Sequence, residues 1–91
     1  MAKLESEKTM TLDIKDLAFE AVKKWGNEPQ LSQATEELAE LIVVINHYRR
    51  GRADATEVAE EVADFLLMLE QIKIIAGISN HIMQEVQQTK L

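Results

Sequence analysis

The sequence predicts an all-α protein: an antiparallel helical bundle of about four helices, completed by oligomerisation. Three observations lead there. Only one Pro and three Gly interrupt 91 residues, so little in the chain breaks a helix. Apolar residues recur at three- and four-residue spacing in four separate segments, the period of a helix face. A chain this short also buries only about 60–65% of the surface its unfolded form exposes, so a core shared between copies is a natural remedy. Residues 1–10 are polar and mixed and read as a flexible N-terminal arm; residues 11–91 read as one helical domain.

The first helix is expected after Thr11 or Asp13, either of which can cap it. Ile14, Leu17, Ala18, Ala21, Val22 and Trp25 then form one apolar stripe, and Gly26-Asn27 ends it. Asn27-Glu28-Pro29 opens the second helix, because Pro is tolerated in a first turn, where its missing N–H has no partner to lose. Its apolar face is expected at Leu31, Ala34, Leu38, Leu41, Ile42, Ile45 and Tyr48. It stops at Gly51, with Arg49 and Arg50 favoured by the negative helix end.

Asp54 or Thr56 caps the third helix. From Phe65 to Leu69 this helix is apolar nearly all round, which is the mark of a helix buried on several sides. It is expected to be central in the bundle or to lie in an interface between copies. Gly77 ends it, and Ser79 can cap a last helix carrying Ile82, Met83 and Val86. Met68 and Met83 read as core filler.

The chemistry concentrates between Glu36 and Asp64. Glu37 and Glu40 lie three apart on the second helix, and Glu61 and Asp64 lie three apart on the third, so each pair faces one way. The midpoint between residues 40 and 64 is residue 52, inside Arg49-Arg50-Gly51-Arg52. In a hairpin folded there, all four carboxylates sit at nearly one level, about 15–18 Å from the bend at ~1.5 Å per residue. One such pair is ordinarily a solvated face; two at matched heights beside apolar neighbours are not. Four carboxylates in one small volume repel, so a cation must join them or their pKa values must rise. All-oxygen ligation suits Mg²⁺, with Mn²⁺ also possible. Mg²⁺ usually completes its shell with waters and substrate phosphates, so the four acids read as a metal-bridged phosphate site. Glu57 lies one turn before Glu61 and can join that face as an outer ligand or base; Glu36 and Glu60 point partly away.

Composition excludes other classes. There is no Cys, hence no disulfide, zinc knuckle or thiol nucleophile. The net charge of -6 opposes a nucleic-acid partner. No apolar run approaches the ~20 residues needed to cross a bilayer, and the first ten residues lack a secretory h-region. The expectation is a cytoplasmic protein with no membrane partner.

Glu36-Glu37-Leu38-Ala39-Glu40-Leu41 followed by Glu60-Glu61-Val62-Ala63-Asp64-Phe65 resembles the paired E-x-x-E and E-x-x-D motifs of the MazG-like all-α nucleotide pyrophosphohydrolases. K-W-G-N-E-P-Q-L, H-Y-R-R-G-R and L-L-M-L-E-Q extend the likeness over roughly residues 17–91. The resemblance implies a homodimer or homotetramer that hydrolyses a nucleoside triphosphate to the monophosphate and pyrophosphate with Mg²⁺. Carried over by position, Glu37, Glu40, Glu61 and Asp64 would hold metal. A neighbouring Glu would take a proton from water, with Glu36, Glu37 and Glu57 as the choices. Family members also place a phosphate-contacting Lys on the last helix, which Lys90 matches, and often an Asn, for which Asn80 is the nearest counterpart.

Several residues keep two readings. Trp25 reads as a core anchor or as a platform for a nucleobase. Gln33, four before Glu37, reads as a solvated residue or as a reader of a base edge. His47 and His81 lack ligand spacing and read as surface or interface residues. The whole chain has a second reading too: a catalytically silent helical oligomerisation or regulatory module, with a structural metal or a plain acidic surface. The absence of further basic residues after Lys90 is the feature that favours it.

Overall fold

The computed structural model describes residues 13–90; the expected arm over residues 1–10, the alternative cap Thr11, and Leu91 lie outside them. Four helices follow in order: α1 (Ile14–Trp25), α2 (Asn27–Arg49), α3 (Ala55–Ala76) and α4 (Asn80–Lys90). Among the described residues there is no strand and no helix long and apolar enough to cross a membrane.

Local chemistry sets each boundary. Asp13 is the cap of α1, its Oδ1 accepting from the Lys15 N–H at 2.9 Å. Gly26 alone separates α1 from α2, with φ 88° and ψ 167°. This is an extended conformation at positive φ, not the left-handed helical cap expected from the sequence, and essentially only Gly adopts it. The corner it makes lets α2 begin at once, with Pro29 in its first turn. Asp54 caps α3 in a reciprocal box: the Glu57 N–H donates to Asp54 Oδ1 at 2.9 Å, and the Asp54 N–H donates to Glu57 Oε1 at 3.3 Å. Gly77 closes α3 in the left-handed conformation. Ser79 starts α4, its Oγ accepting from the Ile82 N–H at 3.1 Å.

α2 and α3 form an antiparallel hairpin, and α1 packs mainly along α3. α3 is therefore central, as its apolar composition requires. Among the described residues the buried set is short: Ala18, Ala34 and Met68, with Gln71 as the one buried polar residue. Ala18 and Ala34 are small, which suits close approach of helix backbones. Much of the expected apolar surface stays open. Leu38, Ile42, Ile45 and Tyr48 on α2, Leu66 and Leu69 on α3, and Leu17 and Trp25 on α1 are all exposed. α1 and α2 leave part of the stretch of α3 from Phe65 to Leu69 uncovered, with Leu66 and Leu69 exposed.

The fourth helix joins this bundle only at its edge. Among the described residues, none of its Cα atoms comes within 8 Å of another helix. Its first residue is strapped to α3 by Lys73 Nζ, which donates to Asn80 Oδ1 and pairs with Glu70 at 2.9 Å. Met83, with Ile78 of the preceding link, lines an apolar groove with Ile14, Leu66, Leu69 and Ile72. Ile82 and Val86 are exposed, and Met83 too stands partly open rather than filling a core.

Two substitutions test this account. Gln71 is 1% exposed and its Oε1 has no hydrogen-bond partner, a loss of about 1–3 kcal/mol for a buried acceptor. Gln71→Leu is expected to raise the midpoint of chemical unfolding; a large fall would show that the amide is satisfied after all. Gly26→Ala forces a side chain into the positive-φ corner and is expected to cost about 1–3 kcal/mol, read in the same unfolding curves.

Candidate metal centre

The hairpin turn decides where the acids meet. α2 ends at Arg49 and α3 begins at Ala55, so the bend is centred on residue 52, as the levelling of residues 40 and 64 requires. The turn is held by backbone bonds: the N–H groups of Arg50 and Arg52 donate to the His47 carbonyl at 3.1 and 2.8 Å, and that of Gly51 to the Tyr48 carbonyl at 3.0 Å. Gly51 takes φ 71°, which lets the chain reverse without strain.

The inward stripe of α2 runs through Ala34, Glu37, Leu41 and Val44, all buried or half-buried. That of α3 runs through Val58, Glu61, Phe65, Met68, Ile72 and Ile75, again buried or half-buried. Both follow the alternating three–four spacing of packed helices. Glu37 and Glu61 therefore occupy positions that an ordinary bundle gives to apolar residues. This also corrects the face expected for α2: Leu38, Ile42, Ile45 and Tyr48 lie outside, while Val44 lies inside.

Glu37, Glu61 and Asp64 each place a carboxylate oxygen within 4.8 Å of the others. Asp64 is the exposed member and the two Glu are half-buried. Glu37 Oε2 and Glu61 Oε2 are buried without any hydrogen-bond partner. Three carboxylates this close, two of them with a buried oxygen that has no partner, form a set of hard oxygen donors without a counter-charge, and a divalent cation such as Mg²⁺ fits it. Glu40 is the fourth expected ligand. It lies at the rim, exposed, three residues from Glu37.

The electrostatics follow from this crowding. Burial pushes the Glu37 carboxyl above its ordinary pKa; the Gln33 hydrogen bond pulls it back, and the negative charges of Glu40 and Asp64 add to the rise. Gln33 Nε2 donates to Glu37 Oε1 at 3.0 Å, which fixes the rotation of the carboxylate and leaves Oε2 as its free face. Gln33 is thus placed as a support for Glu37.

The remaining expected site residues are spread more widely. Glu57 sits one turn below Glu61 with its carboxylate engaged in the capping box of α3. Glu36 is exposed on α2. Trp25 is 55% exposed at the end of α1, with the Lys24 ammonium 4.8 Å from its ring centroid, so it is not a core anchor within one chain. Lys90 is exposed at the end of α4, and Asn80 holds Lys73. The residue the sequence undervalued is His47. It shares a groove with Glu40 and Glu61, a placement legible only once α2 and α3 are set side by side.

No family model, curated protein or solved structure matches this chain. The candidate centre therefore rests on its own geometry.

That geometry has a pH signature. The ionised form of Glu37 is the one that burial opposes, and unfolding releases it. The contribution of Glu37 to metal-free stability should be present in full below the ordinary carboxylate pKa, then decline and be lost as pH rises through the raised pKa of Glu37. Mg²⁺ at millimolar concentration is expected to remove the decline, as is Glu37→Gln. Thermal melts across pH 4–8 with and without the ion check this; a Mg²⁺ effect independent of Glu37 would place the ion elsewhere.

Proposed function

We propose that the protein is a metal-dependent nucleotide pyrophosphohydrolase that converts a nucleoside triphosphate to the monophosphate and pyrophosphate. The observation that carries this reading is the convergence of Glu37, Glu61 and Asp64 from two helices, with orphaned buried oxygens on two of them. The motif resemblance to MazG-like enzymes supplies the reaction type. In this reading the protein works as a homodimer or homotetramer in the cytoplasm, clearing unwanted nucleotides. The exposed apolar residues of α2, α3 and α4 support the association of copies, because a monomer would leave them in water.

Glu37, Glu61 and Asp64 would hold Mg²⁺ or Mn²⁺, with Glu40 closing the rim. A bound ion there supplies charge neutralisation for the polyphosphate and acidifies a water. The protein's own contribution is positional. The hairpin turn sets the two acid pairs level, and Gln33 fixes the Glu37 carboxylate. Water oxygen attacks the α-phosphorus, the bond from that phosphorus to the bridging oxygen breaks, and pyrophosphate leaves. Glu36, Glu37 and Glu57 are the candidate proton acceptors; Glu57 would first have to release its cap. Lys90 would meet phosphate only if α4 closes over the site or reaches a neighbouring copy. In this reading Trp25 and Gln33 are candidates to meet the base.

A second reading is favoured by the same exposed apolar surface and by the stand-off of α4: a silent oligomerisation or regulatory module with a structural metal. One experiment separates the two. Canonical and modified nucleotides are incubated with Mg²⁺, and monophosphate and pyrophosphate are quantified. Turnover is expected, with a loss of about 100-fold or more in Glu61→Gln and Asp64→Asn, at least as severe as losing an outer-shell partner. Mg²⁺-dependent stabilisation without turnover of any nucleotide would establish the silent module instead.

A further inference from the structure

We propose that the groove beside the carboxylate cluster receives the nucleoside part of a metal-bound nucleotide, with His47 as the residue that engages its base. This rests on the phosphate-site reading above and adds a direction to it. The groove has a volume of about 360 Å³ and is lined by Ala39, Glu40, Val43, Val44, His47 and Glu61, within the range of small-molecule sites. Glu40 and Glu61 belong to the acidic constellation, so the groove opens directly off it.

The lining changes character along its length. At one end stand the carboxylates, which repel bare phosphate and accept it only through a cation. Next comes an apolar floor of Ala39, Val43 and Val44, which offers flat contact to an uncharged ring but nothing to a phosphate. At the other end is an imidazole, which can donate or accept a hydrogen bond at a base edge or stack on its face. Glu40 and His47 are two turns apart on α2, about 10 Å at ~1.5 Å per residue. A nucleotide has the same order of parts: charged phosphates, then an uncharged sugar and base with a polar edge.

His47 is also held in place. Its carbonyl accepts from the N–H groups of both Arg50 and Arg52, so its backbone is pinned in the last turn of α2. The opposite direction is less suited. Gln33 already donates to Glu37, and Trp25 stands on another helix with a cation over its ring.

The test observes the His47 ring by NMR in the full chain with Mg²⁺, adding either a non-hydrolysable nucleoside triphosphate analogue or inorganic tripolyphosphate. The nucleotide analogue is expected to shift the His47 ring and the Val43 and Val44 methyl signals; tripolyphosphate is expected to bind without moving His47. His47→Ala, at an exposed position, should weaken the analogue by about tenfold, the scale of one lost polar contact, and leave tripolyphosphate affinity unchanged. If both ligands bind with Mg²⁺ and neither moves His47, the groove assignment is wrong while the phosphate site stands. If neither binds, both fall together.

Discussion

Mutual repulsion among carboxylates is the constraint on which this molecule turns. Glu37 and Glu61 sit on the inward stripes of α2 and α3, at positions where packed helices place apolar side chains, and Asp64 adds a third charge within 4.8 Å. In metal-free form that arrangement works against the fold. Desolvation and like charge both oppose ionisation, and the raised pKa of Glu37 is the visible result. Everything near the cluster holds it together despite this. The turn at residues 50–54 fixes the level of the two pairs, the capping box anchors the start of α3, and Gln33 orients one carboxylate.

The apolar core is too small to impose this arrangement with much to spare. Among the described residues only Ala18, Ala34 and Met68 are buried apolar side chains, and the amide of Gln71 is buried beside them. A bundle built so sparely makes room for a polar centre, and it leaves apolar surface on three helices facing water. Acids take two inward positions that an ordinary bundle gives to apolar residues, while other apolar residues, Leu38, Ile42, Leu66 and Leu69 among them, stay exposed. In the proposed reading, a cation in the centre and a second copy on the outside would answer separate deficits of the same chain.

α4 illustrates a different balance. Its cap, its i, i+4 pair between His81 and Glu85 and its amphipathic pattern are all locally sound, yet the helix approaches no other helix closely. Local signals determine that a helix forms; they do not determine what it lies against. The Lys73–Asn80 strap fixes where α4 starts and leaves its far end, with Lys90, clear of the acids.

Most helix boundaries were legible in the sequence because they are set by chemistry within a few residues: Gly51 and Gly77 as turn residues, Pro29 in a first turn, and caps narrowed to Thr11 or Asp13 and to Asp54 or Thr56, between which the structure shows Asp13 and Asp54. Helical rise and an antiparallel turn at residue 52 led the sequence to expect Glu37, Glu40, Glu61 and Asp64 at one level, and three of these, Glu37, Glu61 and Asp64, lie together. Burial was less legible. Leu38 and Ile42 look as apolar as Leu41 and Val44, and only the packing of α1 and α2 on α3 decides which of them face inward. The same packing puts Glu37 and Glu61 on core stripes, leaves Glu40 at the rim and opens the groove to His47. Sequence alone thus determined the elements and the height at which the carboxylates meet, because those depend on neighbours along the chain. Which carboxylates are buried, and what lies beside them, depends on how the helices rotate about their axes, and only the tertiary structure decided that.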